Sequence, residues 1–324
     1  MCTSISLRRN DHYFGRNLDV EFTFNEKIII TPRNYHFPRV FGDQYTTKYG
    51  LIGAGIVMNK CPMYYEAVNE KGLGIAGLNF PGNIHFQEKC EGRDNLTLSE
   101  MIPWIASNCE SVEEAKVLLS NANIVSNPYE TGEIKCSLHF MISDKKKSIV
   151  VETAKEGLKI FDNPYDVMTN NPPFDYHLWN MHHYLNLSPK NEANRFSDKF
   201  QLINDGVGMG AYGLPGDASS TSRFVRAAFH LANISGEDTE NANVSSFFHI
   251  LDSVAMLKGS TLTDNGKCDI TLYSCCVNAD KGIYYFKTYD NNQIYSVHLH
   301  NEDLTSDELI VYDMHRPPVI EALN

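Results

Sequence analysis

Short polar turns between runs of apolar and β-branched residues constrain the fold of this chain more than any other feature. Residues 63–69 and 73–80 form two such runs around a Glu-Lys-Gly turn, and the same pattern recurs over residues 138–152. Turns this short join antiparallel neighbours, because parallel strands need a crossover of a dozen or more residues. The pattern therefore predicts hairpins in antiparallel sheets rather than β-α-β units.

The remaining strands and helices come in groups. Strand patterns also occupy residues 2–7, 27–31, 270–277, 283–288, 294–299 and 308–312. Capping boxes at Thr97 and Ser111 each open a helix. Further helical patterns cover residues 174–187, 221–232 and 244–257.

Groups of helices between groups of hairpins predict an α+β fold. Two antiparallel sheets that pack face to face between outer helix layers satisfy this order, which gives an αββα four-layer sandwich. No repeat, linker or low-complexity tract interrupts residues 1–324, so we expect a single domain.

The net charge and the length of the apolar runs limit the classes of partner and the location that we expect for this protein. With 28 basic and 40 acidic residues the net charge is −12, which disfavours nucleic acid and anionic membranes as partners. No stretch approaches the ~20 apolar residues of a membrane span, and the start lacks the apolar segment of a signal peptide. We therefore expect a cytoplasmic protein. The eight cysteines show neither a CxxC pair nor zinc-site spacing, so we expect no metal.

Cys2 is the first candidate for chemistry. A small second residue permits removal of Met1, which would leave a thiol and a free α-amine on one residue. Their reference pKa values are about 8.5 and about 7.7–8.0, so the amine can act as base for the thiol without a histidine. The alternative is an ordinary second residue.

Polar residues elsewhere fit such a site. In FGRNLD at 14–19, a strand pairing with the first would place Arg16 and Asp19 beside Cys2, where a guanidinium favours the thiolate. The competing interpretation is a surface ion pair worth about 0–1 kcal/mol. Asn79 and Asn170 fit either turns or oxyanion donors. Arg223 fits either a solvated helix charge or a buried anchor.

Taken together, five motifs resemble the choloylglycine hydrolase family, whose members include conjugated bile salt hydrolases and penicillin V acylases. The motifs are MCT at 1–3, FGRNLD at 14–19, GLNFPG at 77–82, TNNP at 169–172 and LPGD at 214–217. The resemblance spans nearly the whole chain. It implies an N-terminal-nucleophile hydrolase fold, an amide substrate, no cofactor and a homotetramer.

The resemblance also implies roles for individual residues. Cys2 would be the nucleophile, with its α-amine as general base, and Arg16 and Asp19 would flank the thiol and the amine. Asn79 and Asn170 would stabilise the oxyanion. Arg223 would support the site, and its spacing from Asn170 favours that residue over the adjacent Asn171.

Asn79 also bears on the substrate. Bile salt hydrolases tend to have Asn at this position and penicillin V acylases tend to have Tyr, so the resemblance favours conjugated bile salts, with penicillin V as the alternative. GVG at 206–208 resembles a loop associated with glycine conjugates. Six residues are candidates for an apolar pocket around a steroid acyl group, although each also fits plain core. They are Leu18, Phe22, Met58, Tyr65, Phe80 and Ile134.

Two other readings of the chemistry stay open. Cys136 with one of the twelve histidines would give a papain-like pair, although no local signature supports it. A non-enzymatic bile-acid or acyl-binding protein on the same scaffold is the other alternative.

Overall fold

A computed structural model describes residues 1–129, 136–318 and 320–324. Its strands, in chain order, are β1 (Cys2–Arg8), β2 (His12–Val20), β3 (Lys27–Thr31), β4 (His36–Phe37), β5 (Tyr45–Thr46), β6 (Leu51–Met58), β7 (Cys61–Asn69), β8 (Gly74–Asn79), β9 (Asp94–Leu96), β10 (Ala122–Ile124), β11 (Leu138–Ser143), β12 (Ser148–Ala154), β13 (Gly157–Asp162), β14 (Val167–Met168), β15 (Ile270–Asn278), β16 (Ile283–Thr288), β17 (Asn291–His298) and β18 (Ile310–Asp313).

The helices fall between the strand groups, as the sequence predicts. The α-helices are α1 (Met101–Asn108), α2 (Val112–Leu119), α3 (Phe174–Asn180), α4 (Ser220–Ala232) and α5 (Glu240–Asp252). Short 3-10 helices cover Leu98–Glu100, Met181–Tyr184, Met209–Ala211 and Leu299–Asn301.

Two large antiparallel sheets form the body of the protein. The first has six strands in the order β14-β1-β2-β15-β16-β17, and the second has eight in the order β13-β12-β11-β8-β7-β6-β3-β18. Neighbours that follow one another in sequence, such as β1 and β2 or β11 and β12, are hairpins. Cys2 lies on β1, and Arg16 and Asp19 lie on β2. Because other strands flank β1 and β2 on both sides, these three candidates lie in the interior of the six-stranded sheet rather than at its edge.

The side chains of β3 show how the layers pack. Ile28 and Ile30 face the core shared with the six-stranded sheet, whereas Ile29 faces the core formed with α1 and α2. This split follows from the alternation of side chains along a strand. On the far side, Phe224 of α4 and Phe247 of α5 pack on the six-stranded sheet. The predicted αββα four-layer sandwich is confirmed.

Several element boundaries differ from the prediction. The helix predicted over 174–187 ends at Asn180 and continues as a 3-10 turn, and the helix predicted over 244–257 is α5. It starts earlier because the Thr239 hydroxyl accepts from the Ala242 amide and caps it. Strand β13 has no apolar alternation because it lies half-exposed at the edge of its sheet.

Among the described residues, every helix is too short or too polar to cross a bilayer. Within the same residues, no group of three or more His, Cys, Asp or Glu side chains could hold a metal ion.

Candidate active site

Cys2 and Arg16 meet inside the six-stranded sheet. The β1–β2 hairpin pairs Cys2 with Leu18 and Ser4 with Arg16, so the two side chains lie near each other on neighbouring strands. Nη2 of Arg16 donates to the Cys2 sulfur at 2.6 Å. Arg16 is 1% exposed and Cys2 is 3% exposed, so water screens this contact little.

The rest of the Arg16 guanidinium is fixed by backbone oxygens. Nη1 donates to the carbonyl of Tyr65 at 3.1 Å and to that of Gly77 at 2.6 Å. Burial lowers the pKa of Arg16, but the Cys2 sulfur and the Glu66 carboxylate raise it by more, so the pKa lies above its ordinary value. A permanent cation is therefore held against the Cys2 sulfur.

Asn170 reaches the same cysteine from the other side. Its Oδ1 accepts from the Cys2 nitrogen at 2.8 Å and from Nη2 of Arg223 at 2.8 Å. Nη1 of Arg223 donates to the Cys2 carbonyl at 2.5 Å and to the Thr3 hydroxyl at 2.6 Å. Arg223 is fully buried, so it is an anchor of the N-terminus and not a solvated helix charge.

The two candidate asparagines of the TNNP motif have separate surroundings. Nδ2 of Asn170 donates to the backbone carbonyl of Asn79 at 2.7 Å, which ties together the two residues predicted to face the oxyanion. Asn171 instead donates to Pro81 and accepts from Asn83. Asn79 ends β8 with an exposed side chain.

Asp19 is completely buried near the N-terminus. Its Oδ1 accepts from the Thr271 hydroxyl at 2.6 Å, whereas Oδ2 has no hydrogen-bond partner among the described residues. Burial raises the pKa of Asp19, although the N-terminal ammonium and Arg223 oppose this. The Met1 ammonium donates to the Asp19 carbonyl at 2.6 Å and to Asp269 at 3.0 Å.

The six apolar candidates divide by exposure. Leu18 and Phe80 lie in the packed interior, where Phe80 stacks on His139 with ring centroids 4.3 Å apart. Phe22 and Met58 are each 49% exposed, and Tyr65 is half-buried. Ile134 lies outside the described residues.

An aromatic row links Tyr65, which touches Arg16 through its backbone, to the surface. Phe24 lies 6.0 Å from Tyr65 and Phe22 lies 4.6 Å from Phe24, measured between ring centroids. A cavity of about 530 Å³ opens beside Phe22 under the segment 314–318, but Cys2 does not line it.

The papain-like alternative meets a different geometry. His139 is the histidine nearest to Cys136 in sequence, and its two ring nitrogens contact the Glu152 carboxylate at 3.2 Å and the Thr169 carbonyl at 2.9 Å. Both ring nitrogens of His139 therefore face oxygen atoms of Glu152 and Thr169.

Sequence reasoning missed several residues that hold the site. Glu66 lies 3.8 Å from Nε of Arg16, the Ser220 hydroxyl accepts from the Asn170 amide, and Thr271 holds Asp19. A carboxylate in the otherwise apolar run of β7 was a usable signal for Glu66, because buried charges need partners. The hydroxyl residues carry no comparable local signal.

Comparisons with known proteins agree with this geometry. The model of the family "linear amide C–N hydrolases, choloylglycine hydrolase family" matches residues 2–312. The chain is 45% identical to the bile salt hydrolase/transferase of Lactiplantibacillus plantarum and 41% identical to that of Clostridium perfringens, and in each case the match covers 100% of both chains.

Solved structures lead to the same family. A variant of the conjugated bile acid hydrolase from Clostridium perfringens superimposes with a TM-score of 0.92 at 41% identity, covering all of both chains. The penicillin V acylase of Agrobacterium tumefaciens, at 20% identity and a TM-score of 0.77, shares the fold over 97% of this chain and 91% of its own. The chain belongs to the choloylglycine hydrolase family of linear amide C–N hydrolases.

Proposed function

We propose that the protein hydrolyses the amide bond of glycine- or taurine-conjugated bile salts, with Cys2 as the nucleophile. The observation that carries this proposal is the position of the Cys2 sulfur against Arg16 while the nitrogen of the same residue rests on Asn170. Relatives at 41–45% identity over the full chain are bile salt hydrolases/transferases, which favours this substrate class.

Removal of Met1 is the first requirement. With Met1 in place the Cys2 nitrogen is an amide and cannot take a proton. Removal exposes an α-amine beside Asn170 and near Asp19, whose buried Oδ2 then gains a donor. In the mature enzyme Asp19 and Asn170 thus orient the amine over the thiol.

The reaction needs one proton carrier. The neutral α-amine accepts the thiol proton while the sulfur attacks the amide carbonyl carbon, and a tetrahedral oxyanion forms. The carbon–nitrogen bond breaks as the amine returns this proton to the leaving glycine or taurine nitrogen. Water then attacks the thioester, the amine takes a proton from it, and the proton returns to sulfur as the bile acid leaves.

Asn79 and Asn170 are assigned to the oxyanion. An amide nitrogen carries two hydrogens, and the contact with the Asn79 carbonyl uses one of those on Asn170. The second is the one that we assign to the substrate, together with the exposed Nδ2 of Asn79. One such donor contributes about 2.7–4 kcal/mol to transition-state stabilisation.

Phe22, Met58 and Tyr65 are the proposed wall for the steroid. They are the candidates with exposed or half-exposed side chains, and apolar walls with few polar groups suit such a ligand. We assign Leu18 and Phe80 to packing beneath this wall. The GVG loop at 206–208 supports a preference for glycine conjugates.

The protein is also proposed to be a cytoplasmic homotetramer with one domain over 1–324. Buried thiols at Cys275 and Cys276 suit a reducing compartment. Residues 176–212 expose many large apolar side chains, which suit a contact between copies. They include Trp179, Leu185, Phe196, Ile203, Val207 and Tyr212.

A transfer reaction is a second candidate at the same site. The names of the relatives from Lactiplantibacillus plantarum and Clostridium perfringens include a transferase activity. The thioester accounts for it, because a free amine in place of water would attack the same carbonyl and form a new amide. Formation of a new conjugate from glycocholate and an added amino acid tests this candidate.

Amino-acid release is the test of the main proposal. Glycocholate, taurocholate and penicillin V are incubated separately with the purified protein, and glycine, taurine or 6-aminopenicillanic acid is quantified. We expect release from the bile salts to be fastest. Faster cleavage of penicillin V would show that the protein is a penicillin V acylase instead. Binding of bile salts without release of glycine or taurine would favour the binding-protein alternative.

A further inference from the structure

Glu66 is a buried carboxylate that the mechanism above does not use. It lies on β7 at 0% exposure and extends from the eight-stranded sheet toward the six-stranded one. Its Oε2 lies 3.8 Å from Nε of Arg16. Since a buried charge is costly without compensation, this position calls for an explanation.

Hydrogen bonds from both sheets fix the carboxylate. Tyr284 donates to Oε1 at 2.6 Å and Tyr273 donates to Oε2 at 2.7 Å, so the two oxygens are held by separate strands. The Ala54 amide donates to Oε1 at 3.2 Å. Three donors on two oxygens stabilise the ionised form.

A bulge places the neighbouring backbone on the same guanidinium. The β6–β7 register pairs Ala54 with Glu66 and Gly55 with Tyr64, which leaves Tyr65 as an extra residue. The Tyr65 carbonyl accepts from Nη1 of Arg16. Two consecutive residues of β7 therefore hold Arg16, one through its backbone and one through its charge.

We propose that Glu66 is a positioning residue that balances the charge of Arg16 and fixes its guanidinium group against the Cys2 sulfur. This inference rests on the proposed role of Cys2 and deepens that site. Arg16 would otherwise be a buried cation whose other acceptors are neutral carbonyls and the sulfur itself. Glu66 limits how strongly this cation stabilises the thiolate.

The other titratable groups around this pair stay neutral. Burial raises the pKa of each of these side chains above its ordinary value, so they carry no charge near neutral pH. Burial also raises the pKa of Glu66, and although Arg16 and the two tyrosine hydroxyls oppose this shift, the pKa stays above its ordinary value. The neutral groups are Tyr65 on β7, Tyr273 and Cys275 on β15, and Tyr284 on β16.

The reactivity of the Cys2 thiol tests the proposal without a bile salt. The rate of Cys2 alkylation by iodoacetamide is measured against pH, with the N-terminal peptide quantified by mass spectrometry. Glu66→Gln keeps the size of the side chain and removes the charge that opposes Arg16. We expect the midpoint of the alkylation profile to fall by about one pH unit or more, because the carboxylate and the sulfur flank the same guanidinium and its removal leaves that cation unopposed.

Two further variants make the result specific. Tyr284→Phe removes one of the donors that stabilise ionised Glu66, so the carboxyl carries less charge against Arg16. The midpoint is therefore expected to move in the same direction as in Glu66→Gln, but by less. Ser143→Ala removes a different buried hydroxyl between the sheets, which contacts Ser6 at 2.8 Å, and is expected to leave the midpoint unchanged. A purely structural role would lower the melting temperature without moving the midpoint.

If the midpoint is unchanged in both Glu66→Gln and Tyr284→Phe, the proposal is overturned. If Glu66→Gln does not fold, an unchanged midpoint in Tyr284→Phe overturns it. Failure of the proposed substrate is a separate outcome, because bile salts would then remain uncleaved while the alkylation midpoint still shifted.

Discussion

The Cys2 nitrogen donates to Oδ1 of Asn170 at 2.8 Å, although 168 positions separate the two residues. The register of β1 and β14 explains this contact. Ser4 pairs with Met168 and Ile5 pairs with Val167 in an antiparallel ladder. Continued by two residues, the same register places Asn170 opposite Cys2.

This contact separates the two asparagines of the motif. Asn170→Ala removes the acceptor of the Cys2 nitrogen and one proposed oxyanion donor, so we expect kcat to fall about 10²–10³-fold. Asn171→Ala is the matched control, because its side chain contacts only the loop around Pro81 and Asn83 in the described hydrogen bonds, and we expect a change of a few-fold at most. Steady-state glycine release measures both, and equal losses would contradict the assignment.

The nucleophile is tested by removing its sulfur. Cys2→Ala is expected to abolish amino-acid release while the melting temperature stays close to that of the parent, because the alanine keeps the β1 backbone and the Arg223 contacts. Intact mass of the active enzyme should lack one methionine residue. Full activity in molecules that retain Met1 would contradict the role of the amine.

Asn79 offers a test that leaves the N-terminus untouched. Its side chain is exposed at the end of β8, so Asn79→Ala should cost little stability. We expect kcat to fall about 10²–10³-fold with a small change in KM, since the donor acts mainly on the developing oxyanion. A loss confined to KM would instead place this side chain in ground-state binding.

Arg16 and Glu66 should be coupled in stability. Arg16→Met leaves the Glu66 carboxylate buried without its cation, which costs about 3–5 kcal/mol of unfolding free energy. Adding Glu66→Gln should recover part of that loss, because the second variant removes the uncompensated charge. Urea unfolding of the two single variants and the double variant measures the coupling, and strictly additive losses would argue against it.

Acid stability should depend on His12. This histidine is buried and contacts Ser6, Ser143 and the Gly72 carbonyl, and burial lowers its pKa to about 4. The unfolded chain therefore binds more protons between pH 6.5 and 4. Stability from this group is complete above pH 6.5 and falls by up to about 3 kcal/mol as the pH drops to 4.

His12→Asn should flatten that dependence. Its amide can still donate to Gly72, but it has no proton to gain in this range. Exposed His85→Asn is the control and should leave the pH dependence of the unfolding free energy unchanged. An unaltered slope in His12→Asn would show that other groups set the acid limit.

The local pattern of the chain determined its layers. Hairpin turns and strand alternation act over a few residues, so they predicted β7, β8, β11 and β12 close to their observed bounds. The motifs likewise indicated Cys2, Arg16 and Asn170 from resemblance. Sequence patterns gave no prediction of half-exposed β13 and placed the end of α3 too late. In both cases the burial of the side chains is decided by distant parts of the chain.

Only the tertiary structure decided what surrounds the sulfur. Glu66 meets Arg16 because two sheets stack face to face, and the Cys2 nitrogen meets Asn170 because β14 joins β1 across most of the chain. Neither distance follows from sequence spacing. Local sequence fixes which way a side chain faces, whereas the balance of buried charges depends on which strands the packed core brings together.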